Sequence, residues 1–160
     1  MAAKSNAGAA DPLKREVTIT RIIDAPRTLV YKAWTDPKLM ARWFGPRTFT
    51  NPVCELDVRP GGALHIVMRA PNGTEHPMIG VFNEVIENER LVFTSTARDA
   101  KGGALLESVA TVTFADQSGK TKLTVHASAV GFVSIAAQML AGMEAGWTQS
   151  LEKLTELAAG

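Results

Sequence analysis

Ala33-Trp-Thr-Asp-Pro-Lys-Leu-Met-Ala-Arg-Trp-Phe-Gly-Pro46 is a short helical segment with its start and stop written into it. Asp36-Pro37 reads as an N-cap followed by proline at the first helical position, where a missing N–H costs nothing. Gly45-Pro46 ends the segment, glycine supplying a left-handed exit and proline blocking continuation. Between them Leu39, Met40, Trp43 and Phe44 fall at helical spacing and form one apolar face. A face that large needs an apolar layer to cover it. Two placements satisfy it: a helix docked on a core, or a docked helix whose Trp43 and Phe44 also stand at the mouth of a cavity.

Upstream, Val17 to Ile23 alternates with threonines and an arginine, the pattern of a first strand. Asp24-Ala25-Pro26 then opens another short helix carrying Leu29, Val30, Ala33 and Trp34. Downstream of Pro46 the pattern changes to period two for about eighty residues. Strands are expected over Val53–Arg59, Ala63–Ala70, His76–Ile86, Leu91–Arg98, Glu107–Ala115 and Thr121–Ala127. They are separated by Arg59-Pro60-Gly61-Gly62, Pro71-Asn72-Gly73, Glu87-Asn88-Glu89 and Asp116-Gln117-Ser118-Gly119. Such tight turns demand antiparallel neighbours, so six meandering strands join the N-terminal one. Val133 to Ala158 reads as a single long helix with Leu140, Met143, Trp147, Leu151 and Leu154 on one stripe. Gly142 and Gly146 flank that stripe, and either allow close approach or leave empty space beside the helix. The order β-α-α-β6-α is that of an α+β domain.

Composition narrows the function. The 160 residues, 46% apolar, suit one domain with a sizeable core. A formal net charge of +1 with interspersed signs indicates neither a nucleic-acid footprint nor an anionic-membrane patch. No apolar run approaches the roughly 18 residues of a membrane span. Residues 1–14 lack the apolar core of a signal peptide and read as a disordered leader before a single domain over 15–160. The one cysteine, Cys54, agrees with a reducing cytoplasm and reads as buried filler.

No residue set compels catalysis or metal binding. If Asn72-Gly73 is a two-residue turn, His65 faces Gly80 and His76 faces Arg69, which separates the two histidines by about 13 Å at ~3.3 Å per residue. A shared zinc needs nitrogens about 2 Å from one ion. The same register puts Leu64, Ile66, Met68, Ile79 and Val81 on the core face, and leaves His65 on the surface or as a polar tip in a pocket. A turn at Asn88-Glu89 sets Thr94, Thr96 and Arg98 beside Ile79 and Val81, with Glu107 a partner for the buried charge. A one-residue shift places Leu91, Phe93, Ser95 and Ala97 there instead, and that greasier arrangement is preferred. Glu55 and Asp57 alternate on one strand face as solvated carboxylates do. Gly61-Gly62 and Gly102-Gly103 lack the strand-to-helix context of a phosphate loop, so no cofactor is implied. No nucleophile comes with an identifiable base.

The element order, with Asp-Ala-Pro entering the first helix, Ala-Trp-Thr-Asp-Pro, Arg-Trp-Phe-Gly-Pro, Asp57-Val-Arg-Pro-Gly-Gly62, Met68-Arg-Ala-Pro-Asn-Gly73 and Glu89-Arg-Leu-Val-Phe-Thr94, resembles the SRPBCC (START/Bet v 1-like, helix-grip) superfamily. Within it, these motifs are most similar to the branch named for the activator of heat-shock-protein-90 ATPase. The resemblance runs from about Val17 to Leu157. It implies a helix-grip fold, a seven-stranded antiparallel sheet curved around the C-terminal helix with a hydrophobic cavity between them. Members variously carry lipids, cyclise polyketides, sequester reactive small molecules or bind a chaperone. Where many relatives place tryptophan after Gly-Gly-X, this chain has Leu64, a smaller side chain expected to enlarge the pocket. The expected ligand is a small apolar or aromatic molecule lined by Trp34, Trp43, Phe44, Leu64, Ile66, Met68, Ile79, Val81, Met139, Met143 and Trp147. The alternatives are a chaperone-binding, ATPase-activating module and a cyclase- or hydrolase-type enzyme, the last requiring a paired ionisable group in the cavity. Fold analogy does not choose among them.

Overall fold

The computed structural model describes residues 11–160. The elements run β1 (Lys14–Ile23), α1 (Arg27–Thr35), α2 (Pro37–Trp43), β2 (Thr50–Leu56), β3 (Ala63–Arg69), β4 (Glu75–Ile86), β5 (Arg90–Arg98), β6 (Ala104–Gln117), β7 (Lys120–Gly131), α3 (Ala136–Ala141) and α4 (Met143–Ala159). The seven strands form one antiparallel sheet in the order β1-β7-β6-β5-β4-β3-β2. Register shifts at Thr50/Val53, Phe82/Glu84 and Ala97/Arg98 bend the strands locally, since a bulge increases twist and curvature. The concave face closes over α1, α2 and α4, and the core lies between.

The capped segment folds as its residues dictate. The Asp36 side chain accepts from the Lys38 amide at 2.9 Å with Pro37 opening α2. Gly45 leaves the helix at φ +91°, which a residue bearing a Cβ adopts only with strain. The carbonyls freed at the end of α2 are taken by Asn51, whose amide donates to Ala41 and Phe44 oxygens at 2.9 and 2.8 Å.

Four expectations need correction. The β3–β4 connection is a three-residue loop, Pro71-Asn72-Gly73, closed by the Ala70 amide on the Thr74 oxygen. Pro71 suits the first central position of a type I turn and Gly73, at φ +89°, the left-handed residue that follows it. His65 therefore faces Ile79 and His76 faces Met68, one position from the two-residue register. That single step carries Ile79 and Val81 to the outer face, where they are 45% and 38% exposed. Phe82, Gly80 and Met78 take the inner face, paired with Phe93, Ser95 and Ala97. Leu91, Phe93, Ser95 and Ala97 are thus core-facing, while Thr94 and Thr96 pair with Val81 and Ile79 outside. Arg98, beyond the bulge, donates to the Gly102 carbonyl at 2.9 Å in an exposed turn, and Glu107 faces Thr96 instead.

The second correction is that Val133–Ala158 is not one helix. Gly142 breaks it into α3 and α4, with Val133 and Ile135 exposed ahead of α3. The third is that β1 begins at Lys14, paired with Val130, three residues before the expected start at Val17. Residues 1–10 of the expected leader lie outside the described residues. The fourth is that β7 continues to Gly131, four residues past the expected end at Ala127, bringing Ala129 opposite Ser108.

Candidate functional site

A single row across the sheet explains where space is left. Gly80 pairs with Ser95, Ser95 with Ser108, and Ser108 with Ala129. Four adjacent strands thus present only glycine, serine and alanine at one level of the concave face. Gly80 is fixed by close approach, because a Cβ there would lie 2.0 Å from the Thr94 carbonyl oxygen. Opposite the row, α4 presents Gly146, whose missing Cβ would meet nothing within 4 Å. Of the two roles open to that glycine, leaving empty space is the one observed.

The result is a cavity of about 230 Å³ between the sheet and the C-terminal helices. Its walls are Phe44, Gly45 and Pro46 after α2, Met68 and Met78 from β3 and β4, Phe93 and Ala97 from β5, Leu106 from β6, Met139 and Leu140 from α3, and Met143 and Trp147 from α4. Ser95, Ser108 and Ser150 are its polar side chains. The Ser150 hydroxyl is spoken for, accepting from the Gly45 amide and donating to the Gly146 carbonyl, both at 2.9 Å. Four of the six methionines in the chain line the space, giving a wall that adapts to shape. Among the described residues that line it, none carries an acid, a base or a thiol.

Five of the expected lining residues come together here: Phe44, Met68, Met139, Met143 and Trp147. Trp34, Leu64 and Ile66 instead border a separate void of about 10 Å³, with Met40, Leu56, Phe82, Leu91 and Phe93. Leu64, only 2% exposed, therefore leaves a gap the size of one water rather than an enlarged pocket. Trp43 is fully buried behind the wall, its indole N–H donating to the Ala33 oxygen at 2.9 Å. Trp34 stacks on Trp147 with centroids 6.1 Å apart and meets Trp43 edge-on at 4.7 Å. Phe44 closes the group against both Trp147 and Trp43. These four rings fix the back of the cavity. Ile79 and Val81 lie outside, for the register reason above. Met78, Phe93, Ser95, Ala97, Leu106, Ser108 and Ala129 were not expected in the lining. Inner-face alternation identifies Met78, Phe93, Ser95 and Ala97 once the β3–β4 loop is counted as three residues, while Leu106, Ser108 and Ala129 follow from the β5–β6 and β6–β7 registers.

The rim between α2 and β2 is held to α4 by polar contacts. Arg47 pairs with Glu152 and Glu156, its amide donates to the Gln149 side chain, and Lys153 donates to the Pro46 oxygen at 3.1 Å. The hydrogen bond from Arg47 holds the Glu156 carboxyl below its ordinary range. Burial, then the nearby Arg47 charge, lowers Lys153. In β2, burial chiefly pushes the Cys54 thiol up to about 11, which makes it a poor nucleophile at neutral pH.

No described helix is long and apolar enough to cross a membrane. No curated protein matches the sequence. Among solved structures, a protein of Chromobacterium violaceum is 28% identical, with a TM-score of 0.76 over 91% of this chain and 98% of that one. A protein of Nitrosomonas europaea is 26% identical, with a TM-score of 0.69 over 92% and 95%. The sequence model of the Activator of Hsp90 ATPase homolog 1-like proteins matches residues 24–159. With the helix-grip architecture and nearly the full domain matched, the chain belongs to the Activator of Hsp90 ATPase homolog 1-like family, within the SRPBCC superfamily.

Proposed function

We propose that the protein binds a small apolar or aromatic molecule between the sheet and the C-terminal helices, in the cytoplasm. The observation that carries this reading is the cavity itself: about 230 Å³ of apolar-walled space between the sheet and the C-terminal helices, beside the packed core. Interiors close to crystal-like packing density, so a hollow of this size is a departure that a ligand resolves. The four methionines allow the wall to follow more than one ligand shape. Trp147, at the back wall, is the reporter. Titration with a panel of one- and two-ring aromatics and short fatty acids is expected to shift tryptophan emission saturably, and native mass spectrometry of protein from its own source to retain a small molecule. Unchanged emission across the panel with no retained mass sinks the reading.

A second reading rests on the family's name, the activation of a chaperone ATPase. It is tested by titrating the host's own Hsp90-type chaperone with micromolar protein. A rise in ATP turnover supports it, and a flat titration rejects it.

A further inference from the structure

The floor of the cavity carries chemistry that an apolar ligand leaves unused. Ser95 and Ser108 are direct cross-strand partners at the small-residue level of the sheet, and both border the space. Paired inner-face positions hold their Cβ atoms about 5 Å apart, within reach of one shared ligand atom. Ser95 is only 4% exposed. Neither serine oxygen is among the fully buried, unpartnered polar atoms, so both are open to the space, where a ligand atom can meet them. The third hydroxyl, Ser150, already makes two hydrogen bonds that tie α4 to Gly45. Ser95 and Ser108 are therefore the pair placed to receive a polar atom.

The walls also restrict what that atom belongs to. With no ionisable side chain lining the space, a charged ligand group seated on its floor would find no counter-charge there. Size sets the remainder: an apolar cavity of about 150 Å³ takes a benzene, so about 230 Å³ takes one or two rings with a small substituent. We propose that the ligand is a neutral one- or two-ring aromatic bearing a single hydroxyl or carbonyl, seated with its rings against Trp147 and the methionines and its oxygen on the Ser95–Ser108 pair. This rests on the ligand-binding reading above and adds the ligand's polarity and orientation to it.

Equilibrium dialysis with 2-naphthol and naphthalene tests it, on the wild type, Ser95→Ala, Ser108→Ala and the double variant. The double variant is expected to lose about tenfold in 2-naphthol affinity, the worth of one to two hydrogen bonds, while naphthalene affinity stays within about twofold. The single variants, each keeping one hydroxyl, fall between and serve if the double variant does not fold. Equal weakening of both probes, or no change for either, overturns the assignment of the serines and leaves the pocket standing. Failure of both probes to bind the wild type overturns the pocket reading and this inference with it.

Discussion

Gly80 and Gly146 face each other's region of the fold and are required for opposite reasons. At Gly80 a methyl group would be driven to 2.0 Å from the Thr94 oxygen and 2.8 Å from the Ser95 Cα, both backbone atoms that cannot turn aside. Gly80→Ala is expected to destabilise by about 3 kcal/mol or more, read as a lowered midpoint in urea with unchanged slope. At Gly146 the added methyl meets open space, and the helix gains a better former by up to about 1 kcal/mol. Gly146→Ala is expected to raise the melting temperature by about 2–4 °C, seen in a thermal scan, while shaving the cavity. A glycine in a helix stripe was legible as a choice between contact and space. The choice itself was not, because it depends on a sheet row that no single segment displays.

At the scale of elements, the capped α2 segment was readable residue by residue, since Asp36, Pro37, Gly45 and Pro46 act through local geometry. The meander was readable too, because each turn carries its own chemistry. The β3–β4 register was not, and the reason is specific. Asn-Gly is the signature of a two-residue turn, but Pro71 before it shifts the loop to three residues, and one residue inverts the faces of a strand. Ile79 and Val81 were lost to the site by that step alone. The C-terminal helix erred for a related reason: a stripe running through Gly142 keeps its period across a break. Between elements, the Arg47–Glu156 pair links the α2–β2 rim to α4. Glu156 is held below its ordinary carboxylate range when folded and returns to it when unfolded, so the pair stabilises above that range and loses its effect as pH falls through the folded value. Glu156→Gln is expected to melt below the wild type at pH 7 in low salt. The two melting curves converge as the solution is acidified or as salt screens the exposed pair.

For the whole molecule, the fold class and the order of elements up to the C-terminal helix followed from the sequence, with five of the seventeen residues around the cavity. The hollow itself arises only when β4, β5, β6 and β7 bring four small residues level, a coincidence of three registers. Filling it should separate binding from folding. Met143→Trp, at the helix wall, is expected to abolish uptake of a two-ring probe in equilibrium dialysis at a stability change of about 1–3 kcal/mol. A variant that still takes up the probe with native affinity would place the ligand elsewhere. The sheet order carries a consequence for how the chain is made. Among the described residues β1 has no strand neighbour but β7, and Ile23 pairs with Thr121 while Lys14 pairs with Val130, partners about a hundred residues apart. On the ribosome, at roughly 5–20 residues per second, β1 waits several seconds or more with Val17, Ile19 and Ile23 uncovered before its partner is synthesised. The first strand made is among the last to be closed, and nascent chains stalled before Thr121 are the ones a holdase chaperone should retain.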